Sequence, residues 1–150
     1  MSKELFLKQF AKAKQSHSTQ MNQLKLLVRN MPLDDIEIYV GMKETGLGKW
    51  FYDDTIPLKS LIHDSIYNDI DNFLNEWQDV YFKIYQIYYP EKPQGLISKF
   101  LKKRHKVSEL DQDKAQFYFK EIEEISLSLR RSLNSIEGRL NTLPEKSYNF

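Results

Sequence analysis

Few residues in this sequence are of a type that does chemistry, and their spacing limits what they could do. There are three histidines, His17, His63 and His105, and no cysteine, which excludes disulfides, thiolate metal ligands and thiol redox switching. Three imidazoles are too few for a hemerythrin-like di-iron centre, and the Glu-x-x-His pairs of a carboxylate di-iron bundle do not occur. The carboxylate pairs Asp34-Asp35, Asp53-Asp54 and Glu123-Glu124 are sequence neighbours, so spacing alone assigns none of them to a shared cleft. They read as helix caps and solvated faces. No P-loop, dinucleotide fingerprint or nucleophile elbow is present. The expectation is a protein that is not an enzyme.

The sharpest local signal is Gly46-Leu47-Gly48-Lys49-Trp50, set between a segment bearing His17 and one opening at Pro57. From about residue 5 to residue 74 the chain resembles the chemoreceptor zinc-binding domains, bacterial sensory modules. In that family a first-helix His, a Cys-x-Leu-Gly-x-Trp loop and a His-x-x-x-His pair together hold zinc. Here His17 matches the first histidine, and Leu47, Gly48 and Trp50 fill the Leu, Gly and Trp positions. Thr45 stands at the zinc cysteine, and a threonine hydroxyl is a poor zinc ligand. Counting from Pro57, the paired histidines fall on Ile66 and Ile70, which keep the i, i+4 spacing but bind no metal. The resemblance therefore implies a degenerate, zinc-free member in which Ile66, Ile70 and Thr45 fill the former site around His17. It also implies a role in bacterial signalling.

Two readings of His17 compete. In the first it is a core histidine whose ring nitrogens bond a carbonyl or hydroxyl, because an unpaired buried polar group costs roughly 1–3 kcal/mol. In the second a shifted register recruits His63, with Asp64 beside it, into an incomplete zinc site that needs water or a second chain to reach four ligands. The first is preferred, so no cofactor is expected; zinc on His17 and His63 is the alternative.

A basic cluster, Lys99, Lys102, Lys103, Arg104 and Lys106, lies among Leu96, Ile97, Phe100 and Leu101. That composition suits a membrane surface or an acidic partner, and equally a solvated connector. The series Tyr67, Trp77, Tyr81, Tyr85, Tyr88 and Tyr89 reads as core or interface rather than as a cofactor pocket.

These residues must be positioned by helices. Ser2 and Glu4 suit a helix start, after which Phe6, Phe10, Ala13, His17, Met21, Leu24, Val28 and Met31 recur at helical steps until Pro32. A short segment from Asp34 carries Ile36, Ile38 and Val40, and residues 44–52 suggest a tight loop against the end of the bundle. Thr55 and Pro57 open a second long helix with Ile62, Ile66, Ile70, Phe73, Trp77, Val80, Ile84 and Ile87, which breaks over residues 88–95. The basic connector covers 89–107. Ser108 and Asp111 then resemble a capping box opening a helix over 108–142, with Ala115, Phe119, Ile122, Ile125, Leu129, Leu133, Ile136 and Leu140 as its stripe.

A chain of 150 residues, 41% hydrophobic and 29% charged with only five Gly and five Pro, fits one helical domain. The expected fold is an all-α, antiparallel four-helix-type bundle. A formal charge of +1 provides no field for nucleic acid. No apolar run approaches a membrane span and the start lacks a signal-peptide core, so the expected location is the cytoplasm. The expected function is a sensory or protein-interaction module acting through a protein partner or through self-association.

Overall fold

The computed structural model describes residues 1–31, 41–90 and 107–150. Helix α1 spans Lys3–Val28. A single 3-10 turn at Met42–Glu44 leads into α2, Gly46–Phe51, and then α3, Leu58–Ile62. Two long helices follow, α4 at Asp64–Tyr88 and α5 at Glu109–Thr142, with a last 3-10 turn at Glu145–Tyr148. No strand occurs among the described residues, so the fold is all-α as expected.

Each long helix starts on a side chain able to satisfy an orphan N–H, or on a strained residue that forces the start. Ser2 Oγ accepts from Leu5 N at 3.1 Å, and Ser108 Oγ accepts from Asp111 N at 3.2 Å. His63 instead separates α3 from α4 by taking φ 73° and ψ 147°, a region that strongly disfavours a side chain. The expected single helix after Pro57 is thus two.

Cross-helix bonds set the directions. Lys3 Nζ donates to Asn141 O and Leu143 O, while Gln112 Nε2 donates to Val28 O, so α1 and α5 run antiparallel. Arg139 Nε donates to Leu61 O, and Tyr88 Oη donates to Gln112 Oε1, so α4 is antiparallel to α5 as well. Helix α2 packs along α1, and α3 bridges α4 and α5.

The apolar stripes close on one core. Phe6, Phe10, Ala13, Met21, Leu24 and Val28 are buried, and so are Ile70, Trp77, Val80 and Ile84 of α4. On α5, Ala115, Ile122, Leu129, Leu133, Ile136 and Leu140 are buried. Met31 lies beyond α1 and is exposed, a departure from its expected place in the stripe. The expected loop at 44–52 is also corrected: most of it is α2, because Thr45 caps it and both glycines tolerate helical backbone at close quarters. The segment with Ile36, Ile38 and Val40, and the basic cluster, lie outside the described residues.

Candidate functional site

His17 sits on the buried face of α1, 2% exposed. Its Nε2 is 2.8 Å from Ser126 Oγ of α5, and its ring meets Trp77 of α4 edge-on at a centroid distance of 5.6 Å. Trp77 is itself fixed: its Nε1 donates to Met21 Sδ at 3.2 Å, and Tyr81 stacks on it at 4.9 Å. One imidazole thus joins all three long helices. Its Nδ1 is buried and has no hydrogen-bond partner. Burial, with the nearby Arg130 guanidinium, lowers its pKa to about 4, because both oppose a second positive charge. His17 is therefore neutral at physiological pH.

The loop that carries the family-like pattern docks beside this residue. Thr45 Oγ1 donates to Met42 O at 2.7 Å and accepts from Gly48 N at 2.9 Å, so the hydroxyl closes the turn and caps α2. Gly48 is required by contact, since a Cβ there would overlap the Met42 carbonyl, and a Cβ on Gly46 would overlap Ser16 of α1. Leu47 and Trp50 are buried, with the Trp50 ring tilted against Phe10 at a centroid distance of 4.7 Å and against Phe6 at 5.9 Å. Met42 N donates to Gln78 Oε1 at 2.6 Å, which ties the turn to α4 one residue beyond Trp77.

The expected lining by Ile66 and Ile70 is corrected. Ile70 is in the core, but Ile66 is only half-buried. The α4 ring against His17 is Trp77, which lies roughly 10 Å beyond Ile70 and 16 Å beyond Ile66 along the axis at 1.5 Å per residue. His63 is exposed at the head of α4, roughly 21 Å along the axis from Trp77, so it does not converge with His17. Asp64 beside it is exposed as well.

The residues around His17 do not fit a zinc ion. Zinc takes three or four thiolate, imidazole or carboxylate donors; here the groups against the imidazole are a serine hydroxyl and an indole, and the Thr45 oxygen is engaged within its own turn. No group of three or more His, Cys, Asp or Glu side chains able to share a metal occurs among the described residues.

Beside Ser126 an open groove of about 520 Å³ lies against α1 and α5, with Met21, Phe119 and Leu127 among its apolar lining residues. Its rim alternates Lys25, Lys120 and Arg130 with Glu123 and Glu124. Mixed charge of this kind recruits neither phosphate nor carboxylate strongly; it suits a protein surface with both signs.

Sequence reasoning missed Ser126, the polar partner of His17, and Trp77 as the ring against it. Ser126 left a readable trace, a small polar residue at a position that helical spacing from Ile122 turns inward. The tyrosines lie as expected, Tyr88 fully buried and Tyr85 stacked on Tyr89 at 4.7 Å. Among the described residues no helix is long and apolar enough to cross a membrane. Comparison with protein-family models, curated proteins and solved structures finds no match for this chain.

Proposed function

We propose that this chain is a non-enzymatic sensory or protein-interaction module of the bacterial cytoplasm, a metal-free relative of the chemoreceptor zinc-binding domains. The observation that carries this reading is the setting of His17, held between Ser126 and Trp77 while Thr45 is closed on its own turn. A bundle that keeps the Leu47-Gly48-Lys49-Trp50 loop against α1 but surrounds the histidine with groups that do not ligate has exchanged a metal for packing. Such a module acts by presenting surfaces to a protein. Elemental analysis of protein purified without a histidine tag or chelator tests it, followed by a zinc titration read as melting temperature. No bound zinc and no thermal shift are expected; near-stoichiometric zinc with a rising melting point overturns the reading.

A second reading, a zinc-responsive sensor using His17 and His63, rests on the unpartnered Nδ1 of His17. It requires His63 to leave the head of α4 and predicts that His17→Ala abolishes a zinc response. A third, contact with a membrane surface through Lys99, Lys102, Lys103, Arg104 and Lys106, predicts co-sedimentation with anionic vesicles that weakens with salt.

A further inference from the structure

Helix α5 is buried along one face and carries a second seam on the other. Leu110 is 78% exposed, Phe117 68% and Leu127 49%, among the largest apolar exposures on the described surface. Asp113, Lys120, Glu124 and Arg131 are exposed between and beyond them. From Leu110 these residues follow the alternating steps of three and four that mark the a and d positions of a heptad.

This seam is self-complementary in one direction only. When two copies of α5 are laid antiparallel about a two-fold axis at the level of Ile122, each a position meets a d position of the other copy. Phe117 then meets Leu127, Lys120 meets Glu124 and Asp113 meets Arg131, and symmetry repeats every pair. In these three successive layers apolar faces apolar and each charge faces its opposite, which a seam built only for water has no reason to satisfy; Leu110, at the outer end, meets Asn134 and adds no apolar pair. A parallel pairing would set Lys120 on Lys120 and Glu124 on Glu124.

We propose that the exposed seam of α5 is an antiparallel homodimer interface in this register. This deepens the interaction-module reading, on which it rests, by naming the partner as a second copy of the chain. The interface is small and its flanks are unfavourable, since Glu121 and Glu123 beside the axis each face their own copy. The dimer is therefore weak and forms as concentration rises.

Sedimentation velocity of the full chain over a concentration series, with far-UV circular dichroism to confirm folding, tests the proposal. Wild type shifts toward dimer mass with concentration. Lys120→Glu and Glu124→Lys each weaken association by roughly tenfold or more, because two attractive layers become repulsive. The double variant K120E/E124K restores it, and an equimolar mixture of the two single variants associates again, since each supplies the charge the other lacks. Wild type that stays monomeric, or single variants that associate as wild type does, overturns the proposal. A zinc-loaded protein in the elemental analysis would sink the metal-free reading and leave this outcome untouched.

Discussion

His17 and Ser126 meet in the core across two helices that are 109 residues apart in sequence, with Nε2 and Oγ 2.8 Å apart. Each side chain is the other's hydrogen-bond partner among the described residues, so each is the other's answer to burial. Ser126→Ala removes the hydroxyl and leaves the imidazole with both nitrogens unpaired. The expected loss is about 1–3 kcal/mol by urea denaturation. Adding His17→Leu to Ser126→Ala recovers part of it, because apolar groups in both places need no partner.

The lowered pKa of His17 makes stability depend on pH. In the unfolded chain it titrates near 6.5, in the fold near 4, so between these values the unfolded state binds the extra proton. Its contribution is complete above pH 6.5 and is lost as pH falls toward 4, by about 3 kcal/mol in all. Denaturation midpoints measured from pH 7.5 to 4 should show this fall, and His17→Gln should flatten it. An unchanged slope in the variant would place the titrating group elsewhere.

Thr45 and Gly48 predict opposite kinds of sensitivity in α2. Thr45→Ser keeps the capping oxygen and should be near neutral, whereas Thr45→Ala should cost about 1 kcal/mol. Gly48→Ala should cost about 2 kcal/mol or more, since the Cβ meets the Met42 carbonyl rather than a side chain that could rotate away. Equal tolerance of Ala at both positions in thermal melts would contradict the docked loop.

His63 sits exposed in strained backbone, so His63→Gly relieves the strain without removing a contact. A gain of about 1 kcal/mol is expected, read as a higher melting temperature. A zinc site that used His63 would show the reverse when zinc is present.

Much of the fold was legible because an amphipathic helix writes its buried face into the sequence at fixed steps. Phe6 to Val28 and Ala115 to Leu140 follow that rule. What resists reading is anything set by how helices slide against one another. That Trp77, rather than Ile66, stands against His17 depends on the register of α4 beside α1, which no local period encodes. Helix α2 was hidden for a different reason: glycines chosen for close contact look like turn residues when the contact is unseen. His63 was weighed as a ligand because its residue type is chemically suggestive; its backbone role left no trace in composition.

The order in which the chain assembles follows from where its partners lie. The Tyr88–Gln112 bond closes a loop of 24 residues, against 109 for His17–Ser126. Chain-closure entropy alone then favours the α4–α5 pair over direct α1–α5 closure by about 1.3 kcal/mol, so α1 docks late, onto a hairpin already formed. An element that arrives last can also leave first. Amide exchange should find α1 opening ahead of α4 and α5, and acid, by charging His17 in its middle, should widen that gap.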